Sequence, residues 1–162
     1  MIEIDTVLEA APWEAAGLAP LAEKAVRATL DHLGISAAEV VVLGCDDTEI
    51  ARLNASFRGR ARPTNVLSWP SAERGADAEG GRPAPPAEVE LGDVAIAYET
   101  CAAEAAAAGR TLDDHALHLL VHATLHLLGF DHERPGDAAL MEATEIAILA
   151  ALGLPDPYGH GR

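Results

Sequence analysis

The chain has 162 residues, 49% of them hydrophobic, with 11 Lys+Arg against 26 Asp+Glu and a formal net charge of −15. That length fits one domain with a proper core, and that charge excludes indiscriminate binding to nucleic acid or to an anionic membrane surface. Cys45 and Cys101 show no paired spacing, the acidic start Met1-Ile2-Glu3-Ile4-Asp5 lacks the order of a signal peptide, and no uncharged apolar run reaches about 20 residues, so a cytoplasmic protein with reduced thiols and no membrane span is expected.

Ile2 to Leu8 alternates apolar and polar side chains and reads as an edge or half-buried strand. From Trp13 to Leu33 apolar residues recur at helical spacing, ending near Gly34. Val40-Val41-Val42-Leu43 is β-branched and short, a buried strand. Asp46 or Asp47 then caps a helix that runs to about Phe57. Phe57 to Asn65 is a loop punctuated by Gly59 and Pro63, and Asn65 to Pro70 is a short strand stopped by proline. Residues 71–88, rich in Ala, Gly, Pro and charge, read as a flexible surface loop.

Leu91 to Ile96 returns as a strand, and the alanine-rich run from Tyr98 to Ala108 is helical and closes at Gly109. Thr111-Leu112-Asp113-Asp114 resembles a capping box opening a helix to Leu128 that is apolar nearly all round and so belongs in the centre of the fold. A last helix runs from about Asp137 to Leu152, and Gly159-His160-Gly161-Arg162 reads as a frayed end. The expected fold is α+β (mixed α/β): one domain over 1–162, with one mixed four-stranded sheet packed with about five helices around a buried histidine helix.

That helix carries the chemistry. In His122-Ala123-Thr124-Leu125-His126-Leu127-Leu128-Gly129-Phe130-Asp131-His132, the first two histidines are four apart. Positions i and i+4 share one helix face. Gly129 can take positive φ and end the helix, and the chain can then bring His132 to the same point. Three imidazoles with an open fourth position are the pattern of a catalytic zinc site that holds a water. His115 and His118 lie on the same side of the helix but further from the turn. His118 is read as supporting a ligand or touching substrate, and His115 as lying near the surface. His32 and His160 carry no signal.

The spacing matches H-E-x-x-H-x-x-G-x-x-H at every histidine and at the glycine, but the glutamate position is Ala123. The metal geometry is supported and proteolysis is not, since the proton acceptor is missing. A bound metal could still supply a nucleophile by lowering the pKa of its water to about 7. Four of the 11 basic residues, Arg52, Arg58, Arg60 and Arg62, fall together, with no Asp or Glu between Ile50 and Ala72. Guanidinium forks suit phosphate oxygens. Four are too few for strong non-specific RNA affinity, which scales with phosphates neutralised, so a substrate held in a larger assembly fits better than free RNA. A merely solvated loop is the equal alternative. Asp131 is a candidate to orient an imidazole or accept a proton, with a turn-forming role before His132 as its equal alternative.

The motif from His122 to His132 resembles the signature of the bacterial YbeY-type endoribonucleases, the rRNA maturation factors. Phe57-Arg58-Gly59 with Pro63-Thr64-Asn65-Val66-Leu67-Ser68-Trp69-Pro70 resembles that family's second motif, and Leu91-Gly92-Asp93-Val94 and Met141-Glu142 with Glu145-Ile146 agree with it. Ala123 stands where the family usually has glycine and Phe130 where it usually has tyrosine. The resemblance implies a zinc-dependent, single-strand-specific endoribonuclease with one zinc per chain on His122, His126 and His132. It implies Arg58 as the arginine at the phosphate or the transition state. It also implies ribosomal RNA and the small ribosomal subunit as partners, with action at the small-subunit 3′ end and in ribosome quality control, and neither DNA nor membrane is expected. A zinc peptidase-like metallohydrolase, or a non-catalytic ribosome-assembly factor with a structural metal, are the alternatives.

Overall fold

A computed structural model describes residues 1–159; His160, Gly161 and Arg162 of the expected frayed end lie outside the described residues. In chain order the elements are β1 (Ile2–Leu8), α1 (Ala11–Ala16), α2 (Leu18–His32), β2 (Ala38–Cys45), α3 (Asp47–Arg58), β3 (Val66–Pro70), β4 (Glu90–Ala97), α4 (Tyr98–Ala107), α5 (Leu112–Leu127) and α6 (Pro135–Ala151). The four strands form one mixed sheet in the order β1-β2-β4-β3. β1, β2 and β4 run parallel, and β3 lies antiparallel on the β4 edge, with Leu67 opposite Ala95 and Trp69 opposite Asp93.

Among the described residues there are six helices rather than about five, and Gly17 is the reason. Its φ of +77° sits between α1 and α2, so the helical periodicity from Trp13 onward is bent there. A positive φ is left-handed backbone that glycine adopts without a Cβ penalty. Trp13 uses the bend to enter the core. It is fully buried, and its indole N–H donates to the carbonyls of Cys45 and Ile96 at 3.1 and 3.0 Å, tying α1 to both central strands.

Strand alternation sends Val40, Val42, Val94 and Ile96 to one face of the sheet, where they pack with Leu21, Val26 and Leu30 of α2 and with α5. The opposite face carries a smaller cluster, with Cys45, Leu67, Ala95 and Ala97 under Ile50 of α3. Most side chains of α5 are buried, including Leu117, Leu120, Val121 and Leu125. The histidine helix is thus the central element, expected from its all-round apolar character. Residues 71–89 form no helix or strand and bring Arg74 against its C-terminal end. No helix of the described residues is long and apolar enough to cross a membrane.

Candidate metal centre

The hydroxyl of Thr111 accepts from the backbone N–H of Asp114 at 3.1 Å and caps α5 at its start. Three turns later the helix presents His122 and His126. Gly129 then takes φ +99°. The backbone N–H of Phe130 donates back to the Leu125 carbonyl at 3.0 Å, and the Phe130 ring is buried, so the chain doubles back on the helix end. This hook brings His132 to the other two. One ring nitrogen from each of His122, His126 and His132 lies within 4.8 Å of the others, and the ring centroids are 4.7, 5.0 and 5.5 Å apart.

The donor set fits a metal ion. Burial, with the neighbouring His122 and His132, pushes the His126 imidazole down to about 4, so at neutral pH it offers a lone pair rather than a charge. Against His122 stands Glu145 of α6, with its side chain 1% exposed. Its Oε1 accepts from Nδ1 of His122 at 3.2 Å and from Nε2 of His118 at 3.1 Å, and the Tyr158 hydroxyl donates to its Oε2 at 3.1 Å. Burial alone would raise the Glu145 carboxyl, but the hydrogen bonds from His118 and His122 outweigh it and hold the group at about 2. With Nδ1 committed to this carboxylate, His122 keeps Nε2 for a metal, which is how carboxylates commonly fix ligating imidazoles. His118 therefore does not join the triad; it shares the carboxylate that orients it.

His115 corrects the expectation of a surface residue. It is buried, because Glu104 of α4 comes over it and stands 2.9 Å from its Nε2. Asp131 places Oδ1 on the backbone N–H of its neighbour His132 at 2.7 Å, while the His132 ring nitrogen is 3.9 Å away. That is a turn-forming contact within the hook.

The three rings open onto a cleft of about 1050 Å³ that Arg58, Asn65 and Ser68 also line. A second cavity of about 690 Å³ adjoins it at Arg58 and is bordered by Arg60 and Arg62. Arg58 is the last residue of α3, exposed, with Gly59 closing the helix behind it. Arg52 leaves the cationic island. It grips Glu49 of its own helix through two nitrogens, at 2.6 and 2.8 Å, since i and i+3 are neighbours on a helix. Arg58, Arg60 and Arg62 have no carboxylate within ion-pair distance among the described residues.

Sequence reasoning assigned no role to Glu145. Its signal was a carboxylate in the apolar stripe Met141, Glu145, Ile148, Leu149, where only a paired charge can be buried. Tyr158 and Arg74 carried no such signal, because their contacts arise between segments far apart in the chain.

The family model for endoribonuclease YbeY matches residues 4–153. A Paracoccus denitrificans protein called endoribonuclease YbeY is 56% identical over 155 residues, covering 96% of this chain and 89% of its own. The protein of that name from Ruegeria sp. strain TM1040 is 53% identical, with 96% and 95% covered. The solution structure of TM1509 from Thermotoga maritima superposes with a TM-score of 0.56 at 23% identity over 94% of this chain and 92% of that one, a likeness of fold.

Proposed function

The chain belongs to the endoribonuclease YbeY family and is a hydrolase acting on RNA phosphodiester bonds, and from that premise we propose that it is one metal-dependent domain that cleaves single-stranded ribosomal RNA, with zinc held by His122, His126 and His132. The observation that carries this reading is a trio of imidazoles from helix and hook, opening on the same cleft as an exposed arginine that has no carboxylate partner among the described residues.

Bound zinc would polarise a phosphate oxygen or furnish a hydroxide at neutral pH. The chain's own residues then do the following. Glu145 accepts a hydrogen bond from the Nδ1–H of His122 and keeps the opposite nitrogen facing the cleft. Arg58 offers its guanidinium to the scissile phosphate, where negative charge grows as the phosphorus is attacked. Asp131 fixes the backbone at His132, and an exposed carboxylate beside the cleft is also a candidate proton acceptor. Either water or the RNA 2′-hydroxyl serves as nucleophile in this scheme.

Ribosomal RNA within the small subunit is the substrate that suits a chain of net charge −15 whose cleft and adjoining cavity carry three arginines, Arg58, Arg60 and Arg62, with no carboxylate within ion-pair distance among the described residues. The family resemblance implies cleavage at the small-subunit 3′ end and a part in ribosome quality control. A zinc peptidase is disfavoured by Ala123, which lacks the proton acceptor of the zincin helix. The test is cleavage of precursor small-subunit RNA by protein purified without an affinity tag, zinc-loaded or metal-stripped, beside a generic peptide library. Zinc-dependent cutting of the RNA alone is the expected result. An uncut RNA from nuclease-free preparations would favour an assembly factor with a structural metal.

A further inference from the structure

The weakest-looking part of the metal centre is its third ligand. His132 has its side chain 54% exposed and sits on a hook outside any helix or strand. A ligand that wanders costs metal affinity, so something has to hold it. The loop residues 74–80 touch the hook on both sides of His132.

On the near side, Arg74 grips the hook where it leaves α5. Its side chain is 5% exposed. Nη1 donates to the carbonyls of Leu127 at 2.8 Å and Leu91 at 3.2 Å, and Nη2 donates to the Ser71 hydroxyl at 2.7 Å. The Leu127 carbonyl lies in the last turn of α5, where carbonyls lack helical partners and the helix dipole favours a cation. The backbone of Arg74 also lies on Gly129, so closely that a Cβ there would collide with the Arg74 carbonyl oxygen.

On the far side, Arg134 donates to the carbonyls of Ala76 at 2.9 Å and Asp77 at 3.1 Å. Glu79 accepts from the backbone N–H of Gly136 at 2.8 Å, and Asp137 accepts from that of Gly80 at 2.8 Å. A Cβ on Gly136 would press on Glu79 at 2.9 Å. Both glycines therefore admit the strap, and His132 lies between them.

We infer that residues 74–80 are a strap that sets His132 for metal binding, with Arg74 as its positioning residue. Arg74 touches neither metal nor RNA in this scheme; it acts through the hook. The inference rests on the reading that His122, His126 and His132 bind a metal, and the experiment separates the two.

Zinc affinity is measured by competition with a chromophoric chelator, and the coordination sphere by the absorption spectrum of the Co²⁺-substituted full-length protein. The variants are Arg74→Ala, Arg74→Lys, Arg134→Ala, His132→Ala, His126→Ala and the double variant Arg74→Ala/His132→Ala, with Arg82→Ala as an exposed control in the same loop. Arg74→Ala is expected to weaken zinc about 10–100-fold and to shift the Co²⁺ spectrum toward that of His132→Ala. Arg74→Lys restores part of the affinity, and Arg82→Ala leaves it unchanged. In the His132→Ala background, Arg74→Ala has no further effect, because the ligand it serves is gone. Wild-type affinity in Arg74→Ala overturns the inference, as does an equal loss from Arg74→Ala with and without His132. If Arg74→Ala does not fold, Arg74→Lys and Arg134→Ala carry the same expectation. If His126→Ala binds zinc as the wild type does, the metal reading itself fails, whatever the strap does.

Discussion

The Glu145 carboxylate, buried and not lining the cleft, stands 3.2 Å from Nδ1 of His122 and 3.1 Å from Nε2 of His118. One buried charge thus aims one imidazole of the proposed metal centre and engages the histidine a turn before it. Glu145→Gln keeps the shape but loses the charge that fixes the imidazole tautomer. We expect metal affinity to fall about 10–100-fold, as for other residues that orient ligands. Chelator competition checks this, and an unchanged Kd would remove Glu145 from the centre.

Stability against pH follows from the same groups in metal-stripped protein. Burial, with His122 and His132 nearby, lowers His126 from 6.5 to about 4. As pH falls through that window the unfolded chain takes up the proton first, so stability is lost between about 6.5 and 4. Glu145 is lowered from 4.5 to about 2, because its histidine hydrogen bonds outweigh its burial. Its contribution, present above pH 4.5, is lost as pH falls from there toward 2. Denaturant melts across this range should show stability rising with pH throughout, and His126→Ala should flatten the upper part and Glu145→Gln the lower.

Two glycines with positive φ should respond differently to alanine. Gly129→Ala meets the Arg74 carbonyl as well as a strained φ of +99°, with no room to relax. A cost of about 3 kcal/mol or more and a loss of metal binding are expected. Gly17→Ala at φ +77° has open space around it. It should cost about 1–2 kcal/mol and leave the metal alone. Thermal melts paired with zinc titration distinguish them.

Much of this was legible in the chain. His122, His126, Gly129 and His132 are local in sequence, and helical spacing plus one glycine bring them together. The four strands and the central helix followed from β-branched runs and apolar periodicity. The break at Gly17 did not, since a lone glycine inside a periodic run does not announce its φ. Arg52 looked like its neighbours until its helix turned it onto Glu49. Glu104 over His115 and Arg74 against Gly129 and Leu127 join segments that only the fold makes adjacent. No local pattern reports such contacts.

Arg58→Ala separates binding of the metal from chemistry on the phosphate. Arg58 is exposed, makes no carboxylate pair among the described residues and ends its helix, so folding and zinc content should be unchanged. Cleavage should fall about 10²–10³-fold, the usual loss when one donor to a developing charge is removed. Wild-type cleavage rates would assign Arg58 to the solvent.

The most direct test of the whole account is to measure metal content and RNA cleavage together on tag-free wild-type protein and His126→Ala. One zinc per chain with cleavage in the wild type, and neither in His126→Ala, is the predicted result. A metal-free His126→Ala protein that still cuts single-stranded ribosomal RNA would contradict it.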